Sequence, residues 1–372
     1  MSAFVTGVSV ILTLELRQRV RTISWYVLIG VFIGLIAIVT VVLSVALRGF
    51  GADDSGGAGI YSTIIYFVLL LGTLVAPALS GNAINGDRDA GTLATTQVTL
   101  ITTWQLIIGK FLAAWITALA FLAASVPFLI YASIVGRLSA GAIAVSILIL
   151  AIELGVVAAI GVGLSGLVSR PLFSVVLSYL AVAALSIGTL IAFTLGGLAV
   201  QSQVTNTSSY GVTYSDSGQA ISCSPVETYT YSTPRFDRFW GVLAANPYVV
   251  LADAVPSTFD RNGYPTDLFG QIKFGVRSAQ ITPETEIGYD ECADGPPESS
   301  PTAQEVIDST TPGWFVGLMI HLILAGRCAH RGVGTHENPR SATRSGQPHR
   351  LRSHYPSQAA SEKCSTTSRT AG

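Results

Sequence analysis

Asp87, Arg88 and Asp89 stand together, with Gly91, Thr92 and Leu93 close behind, in a polar break between two long apolar runs. Charges placed there keep a connection in water and offer a grip to a soluble partner. A second ionisable group, Glu153, falls in the middle of another apolar run, where a carboxyl is expensive to hold. It reads either as a polar group facing a transport route or subunit seam, or as a protonated carboxyl hydrogen-bonded to a neighbouring helix.

The other reactive side chains carry less. Cys223 and Cys292 lie in an acidic segment, and a position outside the cell would let them pair as a disulfide. Cys328 and Cys364 would then stay reduced in the cytosol. With His330, His336, His349 and His354 they lack the short paired spacings of a zinc site, so no metal centre is expected. His321 sits in the last apolar run with no evident acidic partner. The one Gly-Lys pair, Gly109 and Lys110, is followed by Phe111, so the chain has no phosphate-cradling P-loop and is not expected to be an enzyme.

The elements that hold these residues are membrane helices. Half of the 372 residues are hydrophobic, only 12% are charged and the mean hydropathy is +0.54, whereas a chain folding in water is about a quarter charged. The apolar runs exceed the ~20 residues that cross a bilayer as a helix, and a barrel would show short alternating segments instead. The fold class expected is an all-α polytopic membrane protein. Residues 1–24 form an amphipathic interfacial helix, and five full transmembrane helices fill 25–200, with a polar connection over 80–104. A large extracytoplasmic loop covers 201–312, with a re-entrant or surface helix pair at 239–255 broken at Asn246 and Pro247. Small-residue steps such as Gly30 and Gly34 read as packing positions.

A sixth apolar run over 313–326 stops at Arg327 and reads as a truncated span. The 327–372 tail is basic, nearly free of large aliphatic residues and expected to be disordered. Two readings of it stand side by side: a genuine cytosolic tail, and sequence translated out of frame from an Arg-rich, GC-rich gene. Arg17, Arg19, Arg21, Arg88, Lys110 and Arg170 fall on one side when the N-terminus is cytoplasmic. That orientation exports the acidic loop.

The segment from Asn85 to Lys110, NGDRDAGTLATTQVTLITTWQLIIGK, resembles the cytoplasmic connection between the second and third helices of ABC-2 type transporter permeases. Asp87 stands where that family usually has Glu; Arg88, Gly91, Thr92, Leu93, Gly109 and Lys110 fit its pattern. The family's Pro before the third helix is absent, and Ile101 to Trp104 occupy that place. The resemblance implies a multi-pass permease of the plasma (inner) membrane, exporting cargo as a homo- or heterodimer. It implies a separate ABC ATPase subunit that binds ATP and Mg, so the chain itself is expected to hold no cofactor. Membrane lipid surrounds it, and no nucleic acid partner is expected. Two rivals remain: a proton-coupled secondary transporter using Glu153, and a non-transporting membrane anchor or assembly protein.

Overall fold

The computed structural model describes residues 2–49, 56–89, 102–214, 220–294 and 300–337. Five helices are long and apolar enough to cross a membrane. They are Ile23–Gly49, Gly56–Ser80, Thr103–Val135, Ala140–Leu167 and the run from Pro171 to Ala199, called here spans one to five. Local chemistry sets their starts. Thr102 and Gln105 form a reciprocal capping box at span three, Ser139 caps span four, and Pro171 opens span five where its missing N–H costs nothing. Span five is interrupted at its middle by a π turn, Ala184–Gly188.

The bundle core is built from Tyr61, Ile64, Ile65 and Leu69 of span two, Phe121 of span three, and Leu150 and Leu154 of span four. Span one and span five are largely peripheral, which lipid permits because apolar side chains lose nothing by facing it. The expectation that Gly30 and Gly34 pack a helix is not met within this chain: a Cβ at either would touch nothing within 4 Å. Before span one, a separate helix, Ser2–Val20, lies along span three and, among its described side chains, buries only Val8 and Ile11.

The all-α expectation needs correction in the 201–312 segment, which contains strands. β1 (Gln201–Ser209) is central, antiparallel to β4 (Glu227–Pro234) and parallel to β5 (Glu286–Asp290). β2 (Gly211–Tyr214) and β3 (Ala220–Cys223) form a second, two-stranded sheet. The reason is visible in Glu227–Pro234: Thr and Tyr alternate there, and β-branched and aromatic side chains suit a pleated surface.

Two short helices, Trp240–Leu243 and Pro247–Ala254, follow, broken at Ala244 to Asn246. Val250 and Leu251 of the second are fully buried in the same core as spans two, three and four, so this pair is inserted among the helices. Helix Leu268–Ser278 covers it.

The last helix, Trp314–Glu337, does not stop at Gly326 as expected. Arg, Cys, Ala and His are all tolerated in a helix, so loss of apolar character does not end one. It is bent by 61° from the preceding helix Ala303–Ser309, and the pair counts as a sixth crossing only if taken as one broken span. The 327–372 tail is therefore helical up to Glu337; its remainder lies outside the described residues.

Candidate functional site

At one end of the bundle, Lys110 is almost completely buried, yet its ammonium is doubly paired. It donates to Glu15 of the N-terminal helix and lies 2.7 Å from Asp87 Oδ2. Three pieces of chain far apart in sequence thus meet at one cation. The N-terminal helix is held there by further bonds: Gln105 donates to the carbonyls of Ala3 and Phe4, and Arg19 donates to Thr117 Oγ1 and the Leu79 carbonyl, all at 3.3 Å. Asn85 Nδ2 donates to the Val168 carbonyl at 2.7 Å, while the amides of Ile84 and Asn85 donate to Ser165 Oγ. The polar connection is therefore tied to the ends of spans three and four.

Of the sequence-predicted coupling residues, the structure places Asp87 in this cluster. Arg88 and Asp89 belong to the helix Asn85–Asp89, and their side chains lie outside the described residues. Gly91, Thr92 and Leu93 also lie outside them. Glu15 was legible in the sequence only as a charge on an interfacial helix.

Glu153 meets His321 of the last helix, Oε1 to Nδ1, at 3.0 Å; both side chains are sealed, at 1% and 0% exposure. The other ring nitrogen, Nε2, is 2.8 Å from the Ala245 carbonyl. A carbonyl only accepts, so Nε2 carries its hydrogen. The Nδ1–Oε1 contact then holds one further proton, as a carboxylic acid donating to imidazole or as an imidazolium donating to carboxylate. The pair is a buried hydrogen bond tied to the break in the inserted helix pair. Gly317, one turn before His321, makes this approach feasible: a Cβ there would stand 1.9 Å from the Ala244 carbonyl oxygen.

The next residue of the break, Asn246, is also fully bonded. Its Nδ2 donates to the Ser186 carbonyl at 2.7 Å and to Thr189 Oγ1 at 2.9 Å, and its Oδ1 accepts from the Tyr248 amide. Ser186 lies in the π turn of span five, a local widening common at functional positions. Glu153 and Ser186 are each at the middle of their spans, so a polar layer crosses the bundle at mid-depth.

Nearer the 201–312 sheets, Asp253 accepts from Arg277 Nε at 2.7 Å with one oxygen and from the amides of Gly313 and Trp314 with the other. This carboxylate caps the last helix. Lys273 donates to the Val255 carbonyl, and burial pushes its ammonium pKa down and the nearby Asp267 carboxyl up. Arg235 grips both oxygens of Asp237 at 2.8 and 2.6 Å and holds its carboxyl below the ordinary range. Sequence reasoning missed the Asp253 contacts because their partners lie 24 to 61 residues away, and it missed Arg235–Asp237 because neighbouring charges in a polar loop read as ordinary solvated residues. Cys223 is in a disulfide. The short helix Glu291–Asp294, which carries Cys292, packs against the strand of Cys223, and the Cys292 side chain lies outside the described residues.

Among the described residues, no cluster of three or more His, Cys, Asp or Glu could hold a metal ion. No protein-family model, curated protein or solved structure matches the chain.

Proposed function

We propose that this chain is the permease subunit of an ABC-2 type ATP-binding cassette transporter, exporting cargo across the plasma membrane as a dimer powered by separate ATPase subunits. The observation that supports this reading is the meeting of Glu15, Asp87 and Lys110. A buried cation cannot lose one of its carboxylates cheaply, so the N-terminal helix and the polar connection move as one body. Through Asn85, Ser165 and Val168 that body is joined to span four. A soluble ATPase closing on nucleotide would push it and rock the spans, the work coming from the different affinities of ATP for the two states.

The reading is tested by affinity capture of an ABC ATPase, expressed with the tagged chain from the adjoining gene. Recovery with the intact chain and loss with the double change Asp87→Ala and Arg88→Ala is the expected result. Recovery unaffected by the double change removes those residues from the coupling role. Failure of the intact chain to retain any ATPase removes the class.

The Glu153–His321 pair favours a second reading, a proton-coupled secondary transporter, because it seats two ionisable groups in contact at the middle of span four. Transport that persists when the proton gradient is collapsed, with ATP present, excludes this reading. Transport that follows an imposed pH gradient without ATP supports it.

A further inference from the structure

Span four and the last helix leave an open groove at the end of the bundle where Asn85 is tied to Val168. Its floor is Leu164 and Leu167 from the final turn of span four with Ile320 and Ile323 from the last helix, and its rim is Arg327 and Arg331. The volume is about 540 Å³, within the ~300–1,000 Å³ typical of sites that hold small organic ligands. Ile320 and Ile323 are 39% and 55% exposed, so the floor opens sideways towards lipid.

The two arginines are one helical turn apart on one face. Among the described residues, neither has a carboxylate within ion-pair distance, whereas Lys110, Arg235 and Arg277 all do. Their position is fixed by close packing: a Cβ at Gly163 of span four would stand 2.6 Å from the Cys328 backbone, so the helices touch between the two arginines. The groove thus presents a rigid apolar trough ending in two unneutralised guanidinium forks, at the level where span four leaves the membrane.

We propose that this groove binds one anionic phospholipid, with its phosphate between Arg327 and Arg331 and an acyl chain along Leu164, Leu167, Ile320 and Ile323. Guanidinium forks match phosphate oxygens in bidentate geometry. Basic pockets between membrane helices recognise anionic headgroups for this reason. The choline of a zwitterionic lipid would bring a third cation to the same rim. The inference uses only the spans and the groove, so it stands or falls separately from the ATPase-driven reading.

The test is native mass spectrometry of the full-length, delipidated protein titrated with phosphatidylglycerol or phosphatidylcholine of identical acyl chains. One phosphatidylglycerol is expected to bind about 30-fold more tightly than phosphatidylcholine, and the double change Arg327→Gln and Arg331→Gln is expected to abolish that preference. An equal preference in the double variant, or none in the intact chain, overturns the proposal. If the double variant does not fold, Ile323→Trp fills the trough with both arginines intact; loss of the bound lipid supports the site and its retention overturns it.

Discussion

His321 Nδ1 lies 3.0 Å from Glu153 Oε1 with neither side chain reaching solvent, and the opposite edge of the same ring is fixed to the Ala245 carbonyl. One imidazole therefore fastens the last helix both to span four and to the inserted helix pair. Replacing His321 with Leu strands a carboxyl and a carbonyl together. The expected loss is about 3 kcal/mol. The double change Glu153→Leu and His321→Leu removes the stranded carboxyl and should recover more than half of it. Thermal unfolding in detergent checks this, and a double variant no more stable than His321→Leu alone would refute it.

Lys110 is paired with Glu15 and Asp87, so Lys110→Met leaves two facing carboxylates without their cation. The expected outcome is release of the N-terminal helix from span three. Amide exchange across the helix Ser2–Val20 should be at least several-fold faster in Lys110→Met than in the intact chain. Adding Glu15→Gln and Asp87→Asn to Lys110→Met should restore the protection.

Much of this fold was legible in the sequence because lipid imposes a blunt rule: a helix that crosses must be apolar along its whole length. Spans one to five follow from that rule alone. The break at Asn246 and Pro247 was legible for the same kind of reason, since Pro starts a helix and Asn caps one. The sheets escaped because a long polar segment rich in Ser, Thr and Pro reads as loop until the Thr–Tyr alternation is given weight. The site was harder. Glu153 was conspicuous by its cost, yet its partner His321 is 168 residues away, and one sequence carries no signal linking them.

Arg235 holds Asp237 below its ordinary pKa of 3.8. A carboxyl depressed by folding stabilises the fold wherever it is ionised, and that contribution is complete above the unfolded value and lost as pH falls through the folded one. The turn Phe236–Arg238 should therefore keep its protection from amide exchange down to about pH 4 and lose it below. Asp237→Asn should remove this acid-dependent step. Exchange rates across 234–239, corrected for the intrinsic pH dependence, give the answer.

Cys223 is in a disulfide while Cys328 is free, and they lie in segments expected on opposite sides of the membrane. With Cys364 changed to Ser, a membrane-impermeant maleimide applied to right-side-out vesicles should leave Cys328 unlabelled until the bilayer is opened. Cys223 should become reactive from outside after reduction. Labelling of Cys328 in sealed vesicles would invert the proposed orientation.

The parallel pairing of β1 with β5 has a bearing on biosynthesis. β1 leaves span five directly, but its neighbour β5 is made only after most of the 201–312 segment, and Asp253 from that same segment caps the final helix at Gly313 and Trp314. Pairings so distant along the chain form slowly. A chain stalled before β5 therefore already carries five spans with Glu153 and Asp253, and still awaits both the third strand of its sheet and the final helix that those carboxylates fasten.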